Sequence, residues 1–203
     1  MINTESRSKL NVLGVGSSMR QGSYSTAALK IILEKVTGND AETKLLDLQK
    51  IRLPMLYSLE DDTEEIVQVT ELVKWADAFI LATPDYHGSM SGSIKNFLDY
   101  FWSEFAGKTF GYIVASHEKG LTVMDQMRTA VRQCYGWSMP YGISINPEDD
   151  FNERRDLISR KLASRLDMLA RDLVVYGKLI REQFVNDLLQ SSLVNTFAGY
   201  YRK

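Results

Sequence analysis

The sequence predicts an α/β fold in which a five-stranded parallel sheet carries helices on both of its faces. Two observations lead to this prediction. Short apolar segments alternate along the chain with segments that have the composition or the apolar spacing of helices. The 203 residues are enough for one sizeable domain but fewer than two ordinary domains need. We therefore expect one domain over residues 1–203.

The predicted strands are short apolar runs that end in small or polar residues. The third of them, DAFILAT, is apolar enough to be a central strand that is buried on both faces. In chain order the strands are Leu10–Val15, Thr43–Leu48, Asp77–Thr83, Thr109–Ser116 and Pro140–Ile145.

Helices are predicted between and after these strands. The first, Thr26–Val36, is rich in Ala, Leu and Ile. The second runs from Glu64 to about Trp75, with Thr63 as its N-cap and glutamates in its first turn. The others are Ser93–Trp102, Leu121–Tyr135 and a long helix over Asn152–Tyr176.

The long helix is predicted from an apolar stripe with spacings of three and four residues, which we expect to pack on the sheet. The stripe consists of Leu157, Ile158, Leu162, Leu166, Leu169, Leu173 and Tyr176. The C-terminal extension, residues 178–203, is too apolar for a free tail, so we expect it to pack on the domain or on a partner subunit. Residues 1–9 are expected to form a flexible lead-in.

Composition excludes several classes of protein. The formal net charge of −2 gives no reason to expect nucleic acid or an anionic membrane as a partner. There is no run as long as a membrane span and no apolar core of a signal peptide. The single cysteine, Cys134, favours a reducing compartment, and we expect the cytoplasm. The acidic end of the loop Gln49–Asp62 brings no His or Cys, so no metal site is expected.

The loop Ser17–Ser25 connects the first strand to the first helix and contains four serines, Arg20 and Gly22. A helix start offers unpaired N–H groups and a positive dipole end, and hydroxyls and a guanidinium add donors. We therefore predict that this loop holds the phosphate of a mononucleotide, with FMN preferred. The alternative is that Ser23 or Ser25 only caps the helix.

The loop Pro84–Ser91 after the third strand suits a planar heterocycle. Pro84 stiffens its entry, Tyr86 and His87 supply flat side chains, and Gly88 permits close backbone approach. The alternative is an ordinary turn with a serine N-cap, which we prefer for Ser91 and Ser93.

The loop after the fourth strand, Ser116–Gly120, is less informative. Gly120 would let the chain pass close to a ring, whereas His117 and Lys119 face either a ligand or water. Ligands of open parallel sheets bind beyond the carboxyl ends of the strands, where the strand order reverses. We therefore expect the loops after strands one, three and four to converge.

The segments SSMRQGSYS and TPDYHGSMSGSIKNFLDY together resemble the NADPH-dependent FMN reductase family, which has a flavodoxin-like fold and includes quinone, azo-compound and chromate reductases. The first is similar to the family's phosphate loop and the second to its flavin loop. Ser17 replaces a glycine of the family pattern, Ser25 an asparagine and Asp85 a glutamate. The matching residues are Ser18, Arg20, Ser23, Pro84, Tyr86, His87, Gly88, Ser89, Gly92, Lys95, Asn96 and Asp99.

This resemblance implies a flavodoxin-like three-layer domain that passes hydride from NADPH or NADH to FMN, and electrons on to a small-molecule acceptor. It also implies a homodimer or homotetramer. No side chain is predicted to be catalytic. The predicted FMN-binding residues are Ser18, Arg20, Ser23 and Ser25 for the phosphate, Pro84, Asp85, Tyr86, His87, Gly88 and Ser89 for the ring, and Ser116 and Gly120 for its other edge.

Two other functions remain open at this point. One is a flavodoxin-like electron carrier or FMN-binding regulatory module without NAD(P)H turnover, although the chain has neither a Thr-x-Thr-Gly-x-Thr loop nor a strongly acidic composition. The other is an interaction protein that keeps the fold and has lost the cofactor. The acceptor also stays open among free FMN, a quinone, an azo dye, chromate and ferric iron.

Overall fold

A computed structural model describes residues 9–57, 63–190 and 196–201, and its strands form one parallel sheet. The order in the sheet is β2-β1-β3-β4-β5, and β6 also pairs with β4. The predicted parallel α/β fold is confirmed. The strands are β1 (Leu10–Gly16), β2 (Ala41–Asp47), β3 (Ala78–Pro84), β4 (Thr109–Ala115), β5 (Trp137–Ser138) and β6 (Ile143–Ile145).

Helices follow the strands much as the sequence predicts. The helix α2 begins with Thr63 as its N-cap, because the Thr63 hydroxyl accepts a hydrogen bond from the Ile66 amide at 3.4 Å. A short 3₁₀ turn, Ser103–Phe105, precedes β4. The helices are α1 (Tyr24–Gly38), α2 (Glu64–Trp75), α3 (Gly92–Tyr100), α4 (Leu121–Gln133), α5 (Pro147–Asp150), α6 (Arg160–Leu189) and α7 (Phe197–Tyr200).

The sheet lies between two hydrophobic layers, because successive residues of a strand point to opposite faces. In β1, Val12 belongs to the layer that contains α1 and α6, whereas Leu13 belongs to the layer that contains α2, α3 and α4. Ile80 and Phe79 of β3 divide between the same two layers. All four side chains are fully buried. The helices therefore cover both faces, as predicted.

The fifth strand is interrupted, which corrects the predicted continuous strand Pro140–Ile145. The segments β5 and β6 both pair with β4, with Trp137 opposite Thr109 and Ile143 opposite Ile113. Between them the Met139 amide still donates to the Phe110 carbonyl at 2.8 Å. Proline has no N–H, so Pro140 cannot continue the ladder.

The long helix begins eight residues later than predicted and continues beyond Tyr176 to Leu189. Ser159 is its N-cap, and the Ser159 hydroxyl accepts from the Leu162 amide at 3.2 Å. The preceding residues form a turn because the Asn152 side chain accepts from the Asp156 amide at 2.8 Å, and such local side-chain bonds compete with helix.

The apolar stripe predicted for the long helix is confirmed except at Ile158 and Tyr176. Leu157 precedes α6 but packs, partly buried, against the same core. Leu162, Leu166, Leu169 and Leu173 are all buried against the sheet. Ile158 is 57% exposed because it precedes the helix, and Tyr176 is 48% exposed.

The C-terminal segment packs near the amino-terminal end of β4. Phe184 of α6 forms a small apolar cluster with Ala106 and Ala198. Gly107, at φ +70°, makes room for the Phe184 ring, since a Cβ there would lie 2.3 Å from it. Within residues 9–57, 63–190 and 196–201, no helix combines the length and the apolar character needed to cross a bilayer.

Candidate functional site

The strand order creates a crevice at the carboxyl ends of β1 and β3. The chain crosses from β1 to β2 on one side and returns to β3 on the other, which is the switch point of an open α/β sheet. The loops after β1, β3 and β4 meet there around a cavity of about 230 Å³. A hollow of about 430 Å³ adjoins it and shares Arg20, Tyr24, His117 and Pro147. This space suits a ligand of small-molecule size, for which about 300–1,000 Å³ is usual.

Most of the predicted binding residues border this cavity. Those in its wall are Ser18, Arg20, Ser23, Pro84, Asp85, Tyr86 and Ser116. His87, Gly88, Ser89 and Gly120 lie in the converging loops but not in the cavity wall, and neither does Ser25 in the first turn of α1.

Ser17 fastens the phosphate loop to the rest of the site. It is fully buried, and its amide and its hydroxyl each donate to the Ala82 carbonyl at 3.0 Å. The hydroxyls of Ser91 and Ser93 donate to the Ser17 hydroxyl and the Ser17 carbonyl at 2.9 and 2.5 Å. Ser91 is also the N-cap of α3, as predicted. These serines therefore join the loop after β1 to the loop after β3.

The first turn of α1 keeps its amides available. Ser23 stands at the N-cap position but makes no capping hydrogen bond, so its predicted alternative role as a simple cap is wrong. Its hydroxyl lies 2.8 Å from that of Ser25, which is fully buried. The buried Ser18 hydroxyl accepts from the Arg20 amide at 3.3 Å. The helix start thus presents unpaired N–H groups beside hydroxyl and guanidinium donors, an arrangement that suits an anion.

The loop after β3 is a tight hairpin with a fixed tip. Tyr86 and Ser89 exchange backbone hydrogen bonds of 2.9 and 3.1 Å, and His87 and Gly88 between them have φ values of +56° and +75°. The Asp85 carboxylate accepts from the Gly88 amide at 2.8 Å. Tyr86 is 48% exposed, so its ring is accessible to a ligand.

Gln126 of α4 holds this hairpin from outside, and sequence reasoning missed it. Its side-chain oxygen accepts from the Ser89 hydroxyl and the Met90 amide, both at 3.1 Å, and its side-chain nitrogen donates to the Gly88 carbonyl at 3.3 Å. A lone glutamine in a helix gives no sequence signal for such a long-range contact.

The loop after β4 is tied to the same hairpin. The Ser116 hydroxyl donates to the Asp85 carboxylate at 2.9 Å and accepts from the Glu118 amide at 3.1 Å. Gly120 is the N-cap of α4 at φ +58°, where a Cβ would lie 2.6 Å from Val114. Its predicted closeness to the flavin ring stays a prediction, since packing against β4 already explains a glycine there. His117 lines the cavity.

Comparison with known proteins gives this site a family. The model of the NADPH-dependent FMN reductase family matches residues 10–149, which include all three loops. The chain belongs to the NADPH-dependent FMN reductase family. Membership makes the protein an NAD(P)H-dependent flavin oxidoreductase, with FMN as cofactor and NADPH as co-substrate.

Individual relatives of this reductase agree with the family. An NADPH azoreductase of Bacillus sp. (strain OY1-2) is 36% identical over 121 residues, which cover 57% of this chain and 67% of that protein. An FMN-dependent NADPH-azoreductase of Staphylococcus aureus is 28% identical over 151 residues, covering 68% and 78%. The structure of FerB, a flavoenzyme NAD(P)H:(acceptor) oxidoreductase from Paracoccus denitrificans, aligns with a TM-score of 0.70 at 19% identity over 84% of this chain and 98% of that one.

Three further residues of the family pattern in this reductase have structural partners. Lys95 and Asp99 form an ion pair one helical turn apart at 2.5 Å. The Asn96 side chain accepts from the Leu56 amide at 3.0 Å and donates to the Pro54 carbonyl at 2.8 Å. These contacts fix α3 and the loop that follows β2.

Arg155 is a residue of the reductase site that sequence reasoning missed. Its guanidinium lies over Gly22, where an added Cβ would be 1.4 Å from Nη1. Gly22 has φ +63°, so a glycine there serves both the turn and the close approach. The signal in the sequence is the polar run NERRD, whose Asn and Asp favour a turn over the helix that we predicted.

The donor set of the reductase fits the phosphate of FMN. Uncapped amides at the start of α1, the Ser18 and Ser23 hydroxyls and the Arg20 guanidinium surround the cavity next to a glycine without a Cβ.

In the described ranges, no cluster of three His, Cys, Asp or Glu side chains could hold a metal ion. Burial raises the pKa of the Cys134 thiol, which makes it a poor nucleophile at neutral pH.

Proposed function

We propose that the three-loop cavity binds FMN and that the reductase passes electrons from NAD(P)H to an azo compound. One observation carries this proposal: an uncapped helix start with Ser18, Arg20 and Ser23 shares a cavity with the rigid hairpin Pro84–Ser91. The choice of an azo compound follows the Bacillus and Staphylococcus aureus relatives, which bear the name azoreductase.

The first loop and the start of α1 bind the phosphate in this proposal. Ser18, Arg20 and Ser23 point donors into a site that the dipole of a 15-residue helix already makes favourable for an anion. Ser25 orients the Ser23 hydroxyl, because the two hydroxyls share a 2.8 Å hydrogen bond.

The second and third loops hold the flavin ring. Asp85 fixes both of them, because its carboxylate accepts from the Gly88 amide and from the Ser116 hydroxyl. The Tyr86 ring lines one side of the cavity. His87 and Gly88 form the tip of the hairpin, which the backbone hydrogen bonds between Tyr86 and Ser89 close. Such preorganised amides orient a ring without moving on binding.

The bound FMN supplies hydride acceptance from NAD(P)H and electron delivery to the second substrate. The protein's own residues need only orient the two ligands in turn, and no side chain of the cavity is required as a nucleophile or base. We accordingly assign no catalytic residue.

We also propose a cytoplasmic homodimer or homotetramer without nucleic-acid or membrane partners. The support is a single cysteine, a net charge near zero, and large apolar side chains that are exposed on one subunit, such as Trp102, Trp137 and Leu179. Light scattering of the purified protein measures the subunit number, and a monomer at all concentrations would refute the assembly.

The test of the main proposal is a visible spectrum of the purified protein with FMN, followed by NADPH oxidation with azo, quinone, chromate, ferric and free-flavin acceptors. We expect a flavin spectrum and turnover with an azo dye. FMN binding without NADPH oxidation would leave an electron carrier, and turnover with quinones alone would replace the acceptor class. A protein that takes up no FMN would refute the site.

A further inference from the structure

Arg155 reaches the phosphate loop from a separate, well-defined turn. Phe151 and Leu157 form an antiparallel bridge at the base of this turn, and the Arg155 amide donates to the Asn152 carbonyl at 2.8 Å. Arg155 itself has φ +65°, a conformation that is uncommon for a residue with a side chain. The turn therefore places Arg155 next to the phosphate loop, where its guanidinium lies over Gly22.

Aromatic contacts attach this turn to the start of α1. The Tyr24 and Phe151 rings lie 5.5 Å apart between centroids. The Arg155 guanidinium carbon lies 5.9 Å from the centre of the Tyr24 ring, within the range of a cation–π contact. The positive group is thus held beside the uncapped first turn of the helix.

Basic side chains outnumber acidic ones around the phosphate loop, although Asp85 lines the main cavity and Glu148 and Glu153 line the adjoining hollow. Arg155 and Arg20 both line the main cavity and a hollow on the outer side of the loop. Lys30 and Lys50 also line that hollow, and Asp47 is its only acidic residue within the described ranges. Neither arginine has an ion-pair partner within 4.0 Å in the described part of the chain. Like charges gathered in this way favour an anion between them.

We propose that Arg155 is a second phosphate-binding guanidinium, which acts with Arg20 on the phosphate of FMN; this inference rests on the function proposed above. A flavin phosphate carries a charge of about −1.5 to −2 at neutral pH, enough to balance both guanidiniums. A planar guanidinium can also donate two parallel hydrogen bonds to phosphate oxygens. The turn Phe151–Leu157 is then part of the cofactor site.

The test compares FMN with riboflavin, which has the same ring and no phosphate. We expect Arg155→Ala to raise the dissociation constant of FMN about 10- to 100-fold, the range for a lost charge-assisted contact, and to leave that of riboflavin unchanged. Arg155→Lys keeps the positive charge but cannot donate two parallel hydrogen bonds, so its dissociation constant for FMN is expected to lie between those of the unsubstituted protein and Arg155→Ala. Quenching of flavin fluorescence on titration with apoprotein measures each constant.

Arg154→Ala is the matched control, because Arg154 is the neighbouring arginine of the same turn and is exposed. It lines neither the main cavity nor the hollow on the outer side of the loop. It is expected to bind FMN like the unsubstituted protein. A second readout is the thermal midpoint of the apoprotein, which inorganic phosphate at constant ionic strength should raise less in Arg155→Ala than in Arg154→Ala.

The outcomes separate the inference from the proposed function. If the unsubstituted protein binds FMN and Arg155→Ala binds it equally well, the inference is refuted and the site stands. Equal losses for FMN and riboflavin would mean that Arg155 only supports the fold of the pocket, which also refutes the inference. If the unsubstituted protein binds neither flavin, both proposals fall.

Discussion

Replacement of Gly22 by alanine separates two roles of this glycine. Its φ of +63° is unfavourable for alanine, and an added Cβ would lie 1.4 Å from Nη1 of Arg155. The Arg155 side chain is flexible at its far end, so the guanidinium can move away at little cost. We therefore expect the backbone alone to set the loss of stability, about 1–2 kcal/mol.

Binding of FMN should suffer more than folding. Displacing the guanidinium removes one charge-assisted contact, which is worth about 1.5–3 kcal/mol. In a protein that already carries Arg155→Ala, Gly22→Ala should still destabilise the fold by about 1–2 kcal/mol. It should cause no further loss of FMN affinity through that contact, because the guanidinium is already absent. The measurements are urea unfolding and FMN titration of the four proteins of this double-mutant cycle.

Gly88→Ala is the control for backbone strain. Gly88 has φ +75°, and an added Cβ meets nothing within 4 Å, so its stability loss should match that of Gly22→Ala. A much larger loss for Gly22→Ala would show that the Arg155 guanidinium is rigidly held. Full additivity of Gly22→Ala and Arg155→Ala in FMN affinity would refute the proposed displacement.

Three other predictions follow from single contacts. Arg20→Ala should weaken FMN binding by about 1.5–3 kcal/mol and leave riboflavin binding unchanged, and titrations with both flavins check this. Ser91→Ala removes a cap and the hydrogen bond to Ser17, so urea unfolding should show a loss of about 1–2 kcal/mol; an unchanged midpoint would contradict the link between the loops. Burial lowers the pKa of Lys108 from 10.5 to about 8. Between pH 8 and pH 10.5 the unfolded chain therefore binds more protons at this lysine than the folded protein does, so the free energy of unfolding due to Lys108 rises with pH in that interval. Unfolding of Lys108→Met across that interval should lack the rise, and an equal rise in both proteins would contradict the assignment.

The hydrophobic pattern was sufficient to predict the layers of the fold. Val12 and Leu13 alternate between the two cores because a strand has a period of two, and the buried leucines of α6 follow a helical period. The hydrophobic pattern alone does not show where a single residue interrupts a strand or delays the start of a helix. Pro140 breaks the fifth strand by lacking an N–H, and Asn152 delays α6 by bonding to the Asp156 amide.

The candidate site was predictable where its residues are contiguous in sequence. The composition of the loops after β1 and β3 indicated donors for a phosphate and flat groups for a ring. The direction of each side chain was not predictable, since Ser25 turns inward while Ser23 faces the cavity. Arg155 and Gln126 could not be placed, because each meets its loop through tertiary packing rather than through local sequence.

The hydrogen bonds among Ser17, Ser91 and Ser93 have a consequence for the exchange of ligands. They make the floor of the pocket a single stiff unit, which cannot open by separating the two loops without breaking buried bonds. Entry and departure of nucleotides must therefore depend on parts at the rim. The exposed Tyr86 ring and the exposed Arg155 side chain lie at this rim, and both can move while that floor stays intact.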